Sequence, residues 1–205
     1  GDDPLTSGQV NEVQLLSCIG FAGKIVLRFA GQPSKEIAWD ASPKDVERAI
    51  EATGTSVGDV VVTFTKDTTK LCYEPEADEA DVNVAMIEFR TVFGDLPPLT
   101  YDEASSSFEG TVETRSVATH GELAVLRATD GQYAAAVQAT KERAACAGRG
   151  LCEEEEGECA CFTSNFELFT SSDLYGGPGL HGDCGHPMSV VTMCPGAADA
   201  LSSGN

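Results

Sequence analysis

From Val10 onward, hydrophobic and polar positions alternate with a period of two, the spacing of a half-buried strand. Val13, Leu15 and Ser17 alternate with Gln14, Leu16 and Cys18, and after a glycine-containing turn at 20–23 the run 24–29 places Ile25, Leu27 and Phe29 on one face. Two such runs joined by a short turn predict a β-hairpin, and Ile37 with Trp39 predicts a third short strand. The period then changes. Ser42 as N-cap, Pro43 at the first helical position, Asp45 in the first turn and Gly54 at the close bracket a helix over 42–54. Val46, Ala49 and Ile50 fall at i, i+3 and i+4, one apolar stripe to lay against a sheet. Strand patterning resumes over 59–65 and 82–93, breaks at Gly94-Asp-Leu-Pro-Pro-Leu99, and returns over 108–118 and 122–127. Residues 129–145 are rich in Ala, which favours a helix from near Asp130, while Gly131 and the Thr and Val content allow an extended lead; the stretch is read as a linker.

The predicted class is α+β: a mainly antiparallel, sandwich-like β domain over 1–128 with one packed helix, the linker, a small disulfide-rich module over 146–195 and a tail over 196–205. The module is defined by its cysteines. Cys146, Cys152, Cys159, Cys161, Cys184 and Cys194 crowd into a stretch with few bulky aliphatics, where covalent bridges would replace a core too small to form. The other two, Cys18 and Cys72, lie in or beside strand-like segments and are expected to pair with each other. An even set of eight cysteines points to an oxidising compartment.

Composition narrows the partners. Across 205 residues, 33 acidic against 13 basic side chains give a formal charge of −20, which repels nucleic acid and anionic membranes. An apolar fraction of 41% is enough for a core in the longer part. No apolar stretch approaches the ~18 residues of a membrane span, and no Asn-x-Ser/Thr sequon occurs. The sequence opens at Gly1 with neither Met nor signal peptide, so it is expected to be a processed or excised piece of a secreted protein.

Glycines sharpen the reading of the module. Cys146-Ala-Gly-Arg-Gly-Leu-Cys152, followed by Gly157-Glu-Cys159-Ala-Cys161, puts Gly148, Gly150 and Gly157 where a short hairpin between bridged strands needs small residues or positive φ. Over 146 to about 184 the chain resembles an epidermal-growth-factor-like module of the tenascin type. That resemblance implies Cys146–Cys159 and Cys161–Cys184 bridges. The family's partner for the half-cystine matching Cys152 lies upstream, where 129–145 hold no cysteine; Cys194 is the nearby substitute, so Cys152–Cys194 is expected. The loop before Cys184 is longer than the family usually has. A second resemblance spans most of the chain. Val13-Gln-Leu-Leu-Ser-Cys18, Phe29-Ala-Gly-Gln32, Ile37-Ala-Trp-Asp-Ala-Ser42, Phe93-Gly-Asp-Leu-Pro97, Gly176-Gly-Pro-Gly179 and Gly182-Asp-Cys-Gly185 are similar to a repeat, with its cysteine module, in large extracellular proteins of stramenopile algae, including those of tubular flagellar hairs (mastigonemes).

Reactive chemistry is sparse. Gly182-Asp-Cys-Gly185 resembles the nucleophile loop of viral chymotrypsin-like cysteine proteases, but those need two upstream barrels and a His near the start. Apart from His181 at the loop itself, the only upstream His is His120, and a disulfide-bonded Cys184 could not attack a substrate. Cys159, Cys161, His181, Cys184 and His186 are close in sequence, yet Cys-x-Cys suits structural zinc poorly. Calcium could use the carboxylates of 153–156 or 74–81, although neither follows an EF-hand pattern and both read as solvated acidic loops. No cofactor, catalytic or metal residue is therefore expected. Asp40 and Asp45 read as strand end and helix cap. The expectation is a non-enzymatic, secreted structural subunit that assembles with like chains into a filament or coat. An adhesion or ligand-binding ectodomain is the alternative, and a cysteine protease a remote one.

Overall fold

The computed structural model describes residues 8–188 apart from 55–56, 67–69, 75–82, 95, 122–123, 129–131, 142–144, 154, 156–157, 165–166 and 174–176. The chain divides into two compact units, Gln9–Thr140 and a second running from Lys141 onward with Gly1–Gly8. The class is α+β, dominated by antiparallel strands.

In the first unit the order is Val13–Gly20 (β1), Lys24–Ile25 (β2), Leu27–Phe29 (β3), Gln32–Pro33 (β4), Ile37–Ala38 (β5), Pro43–Glu51 (α1), Val60–Phe64 (β6), Ala85–Phe89 (β7), Thr100–Tyr101 (β8), Gly110–Arg115 (β9), Val117–His120 (α2), Val125–Arg127 (β10) and Tyr133–Ala135 (β11). A four-stranded sheet in the order β6-β7-β1-β9 is the spine. One face buries Leu16, Cys18, Val60, Val62, Ala85, Ile87 and Phe89 against α1 and the short β2–β5 and β4–β3–β8 groups. On the opposite face Leu15 and Val84 pack with Leu126, Ala128 and Ala134 of the β10–β11 hairpin region. Covered on both faces, β1 is buried almost throughout, as a central strand of a layered fold should be.

Helix α1 forms for the local reasons its sequence offers. Ser42 and Asp45 close a reciprocal capping box, with Pro43 inside the start. Val46, Ala49 and Ile50 are buried toward β6. The helix stops at Glu51, with Ala52 as C-cap and Gly54 at φ 116 beyond it.

Three expectations change. Runs 13–18 and 24–29 do not form a hairpin with each other, because β7 and β9 occupy both edges of β1. The chain instead leaves the sheet and runs beside 105–109, where Glu109 N–H donates to Ala22 O and Ser107 N–H to Lys24 O. Gly23, at φ 89, is required by that approach: a Cβ there would fall 2.2 Å from the Ser107 carbonyl oxygen. The strand expected over 108–118 ends at Arg115, and Val117–His120 turns into one helical turn. Within 129–145, where a linker was expected, Tyr133–Ala135 pairs with β10 and Val137 exchanges both main-chain hydrogen bonds with Val13. That bridge carries the first unit on to Thr140.

The second unit contains the hairpin Gly150–Glu153 (β12) with Glu158–Cys161 (β13), and the three-stranded group Thr163–Ser164 (β14), Glu167–Thr170 (β15) and His186–Met188 (β16). Among the described residues its interior is barely apolar: Cys146, Ala147 and Cys184 are buried together with Arg149 and Ser172. The Arg149 guanidinium lies 5.0 Å from the Phe169 ring centroid and donates to Gly185 O at 3.3 Å, so a cation and an aromatic ring fill space that aliphatics fill in the first unit.

Candidate functional site

Three disulfides are closed: Cys18–Cys72, Cys146–Cys159 and Cys161–Cys184. Cys18 sits on β1 and Cys72 beside it, where Tyr73 extends the sheet alongside Cys18 and Gly20. Cys146–Cys159 ties the turn before β12 to β13, and Cys161–Cys184 ties the end of β13 to the turn before β16. Gly150 is demanded by this closure, since a Cβ would lie 2.8 Å from both the Cys184 sulfur and the Ala160 carbonyl oxygen. Cys152 is exposed and unbridged to any described cysteine. Its expected partner, Cys194, lies outside the described residues, as does Gly157.

The bridges remove the reactive options on this set. With its sulfur bonded to Cys161, Cys184 has no thiolate to attack a carbonyl. Cys159 and Cys161 belong to two different bridges, so neither is a thiolate ligand, and no cluster of three metal-binding side chains occurs among the described residues. His120 belongs to the first unit, beside Arg115 and Ser116, whereas Cys184 belongs to the second. Glu153 and Glu155 are exposed, and most of the 74–81 acidic loop falls outside the described residues.

The Gly182–Gly185 loop is organised by Asp183. Its carboxylate accepts from the Ser172 N–H at 2.8 Å, the Ser172 hydroxyl at 2.6 Å and the Gly185 N–H at 3.1 Å. Burial pushes this carboxyl up, but the hydrogen bonds from Ser172 and Gly185 outweigh it and hold it below the ordinary value. The segment thus forms a pinned turn around a bridge, with Cys184 at φ 58.

A second polar network joins two of the motifs quoted above. Buried Glu12 and Gln14 reach across to the Pro-rich segment: Leu96 N–H donates to Glu12 Oε2 at 3.0 Å and Leu99 N–H to Gln14 Oε1 at 2.7 Å. The Gln14 amide in turn donates to Glu12 Oε1 and to Pro97 O. The residues around 13–18 and 93–97 are therefore one structural device that seats a loop lacking a strand partner. Nearby in function, Asp102 pairs with Arg28 at 2.7 Å, and hydrogen bonding from Ser105, helped by Arg28, holds its carboxyl below the ordinary value.

The two edges of the main sheet differ. Edge strand β6 is closed by α1: Val62 N–H donates to Glu47 Oε1 at 3.0 Å and Val60 N–H to Glu51 Oε1 at 3.3 Å. One helical turn separates the two glutamates, which matches the two-residue repeat of outward N–H groups along a strand. Glu47 is buried and also pairs with Lys44. Burial, reinforced by the neighbouring Asp59 and Glu47 carboxylates, pushes the Glu51 carboxyl above its ordinary value, although the Val60 N–H works against that. At the opposite edge the alternation can be read from β1. Cys18 O and Gly20 N–H bond Tyr73 on the side away from β9, so the odd-numbered residues of β1 face β9. Arg115, Glu113 and Thr111 are then the bonded partners, and Gly110, Val112 and Thr114 turn N–H and C=O outward. Among the described residues no other backbone group pairs with them; the one side-chain contact is the Arg115 guanidinium, which donates to the Thr114 carbonyl oxygen at 3.4 Å and leaves that oxygen a second lone pair.

Sequence reasoning missed the Glu47/Glu51 cap, the Glu12/Gln14 strap and the Arg149 filler. The first had a faint signal, two glutamates four apart on the helix face beside the apolar stripe, but a solvated helix face carries the same pattern. Arg149 and the strap had none. Protein-family models, curated proteins and solved structures give no match to this chain.

Proposed function

We propose that the chain is an extracellular structural subunit that assembles with like chains into a filament or surface coat, a flagellar hair being one such material. The observation that carries this reading is covalent locking in place of a core. Two bridges and a pinned Asp183 turn hold a second unit in which few aliphatics are buried among the described residues, and a third bridge ties β1 to its neighbouring loop. Such construction resists pulling and proteolysis, and its disulfides fit an oxidising compartment. The charge of −20 disfavours nucleic acid as partner, and among the described residues no helix is long and apolar enough to cross a membrane. Both resemblances, to a tenascin-type growth-factor-like module and to the stramenopile repeat, point the same way. Light scattering and negative-stain imaging of the purified chain test the reading: ordered multimers are expected, and a strict monomer at all concentrations refutes it.

A second reading, an adhesion or ligand-binding ectodomain, draws on the exposed Leu151, Phe162 and Leu180 of the second unit, which are the side chains a partner's surface would cover. It expects a monomer whose binding to a captured ligand falls when Leu151 and Leu180 are changed to Ser.

A further inference from the structure

We propose that the β9 edge is a self-pairing surface: two copies of the chain join their main sheets by laying β9 antiparallel against β9, with Val112 opposite Val112 of the second copy. This deepens the assembly reading and rests on it. Edge strands with free main-chain groups template pairing with another chain. Here α1 has closed the β6 edge with Glu47 and Glu51, whereas Gly110, Val112 and Thr114 of β9 keep three successive outward-facing residues.

The occupant follows from the register. Hydrogen bonding requires outward residues to face outward residues, so the twofold can sit at Thr111, Val112, Glu113 or Thr114. Centring on Glu113 sets that carboxylate against its own copy, and centring on Thr111 sets Glu109 against Glu113 twice; like charges directly opposite are unfavourable. Centring on Thr114 needs Ser116 opposite Val112, but Ser116 O already accepts from Thr119 and His120 and its N–H donates to His120 Nδ1. Centring on Val112 pairs Gly110 with Thr114 of the other copy in both directions. This engages all six outward N–H groups and places exposed Glu109 opposite Arg115 twice, so that each guanidinium, already paired with Glu113 of its own strand, lies between two carboxylates. The edge is thus complementary to itself in charge and in hydrogen bonding in one register.

The test is sedimentation of the whole chain across concentration. Thr114→Pro and Val112→Pro each remove an N–H that β1 does not use, a place where an edge strand tolerates proline. Each should weaken dimerisation about tenfold to a hundredfold, because the twofold doubles the lost hydrogen bond; Thr114→Pro should leave the urea transition of Trp39 fluorescence in place, whereas Val112→Pro should also lower it, because the Val112 side chain packs against the main core. Glu109→Arg and Arg115→Glu should each abolish self-pairing when alone, yet the two variants mixed should form a heterodimer, since every facing pair is then of opposite charge. If the proline variants do not fold, the mixing experiment decides by itself. Proline variants that associate like the unaltered chain would place the contact elsewhere and overturn the β9 proposal while leaving the assembly reading intact. Charge variants that fail to recover on mixing overturn it likewise, and an unaltered chain that never associates overturns both.

Discussion

Replacing Cys18 and Cys72 together by Ala removes the one bridge in the first unit, and its cost can be worked from chain length and burial. The bridge spans 54 residues, so its loss returns about 4 kcal/mol of loop entropy to the unfolded chain. Both cysteines are almost wholly buried, 1% and 3% exposed, in the main core with Leu16 and Leu71, and truncating them leaves small cavities worth about 1 kcal/mol more. A total near 5 kcal/mol is a large share of the ~5–15 kcal/mol that stabilises an ordinary domain. Trp39 is the sole tryptophan and its carbonyl accepts the Cys72 N–H at 2.9 Å, so its fluorescence follows unfolding of this unit. With a urea m-value of about 2 kcal/mol/M the midpoint should fall by about 2.5 M, and m should rise because the unlinked chain expands further. A midpoint within about 0.5 M of the parent, with m unchanged, would mean the 18–72 loop has little freedom to regain when unfolded, and the reasoning would be wrong.

Glu47→Ala should cost about 2 kcal/mol in the same urea assay, because Val62 loses a charged acceptor beside a buried helix face, while Glu47→Gln should retain most of that; equal midpoints for Ala and the parent would refute closure of β6 by α1. Acid should act oppositely on two carboxylates. Asp183 is held below its ordinary value, so its contribution is present above the unfolded carboxyl value and is lost as pH falls through the lower folded one. The second unit should therefore melt earlier below about pH 4, and Asp183→Asn should flatten that slope. Glu51 is held above its ordinary value, so the first unit should gain slightly as pH falls from neutral, and Glu51→Gln should remove the gain. Gly150→Ala should destabilise the second unit by about 1–3 kcal/mol through collision with the Cys161–Cys184 bridge, read as a lower melting temperature or as lost bridge formation by peptide mapping.

Local signals were legible where the cause is local. Ser42, Pro43, Asp45 and the 46/49/50 stripe specify α1 because capping and one-faced burial involve residues within a turn or two of each other. Alternation at 60–64 and 85–89 specifies β6 and β7 for the same reason. Pairing was not legible. The Gly20–Gly23 turn invited a hairpin, yet competition for β1 was decided by β7, β9, Tyr73 and Val137, all far along the chain. The Ala-rich stretch after Ala128 has too weak a pattern to announce β11, whose place depends on Leu15 and Leu126 offering it an apolar face.

The sequence by itself determined the secondary-structure menu, the strongly acidic surface and the presence of a cysteine-rich segment too poor in aliphatics to hold itself by burial. These properties are sums or short-range patterns, and no partner need be known to read them. Tertiary structure decided which strand is central, which edge is capped and which is open, and which glycines are compelled by another backbone or a sulfur. Those outcomes turn on contacts between residues tens of positions apart, where several pairings satisfy the same local pattern and only the packed whole selects among them.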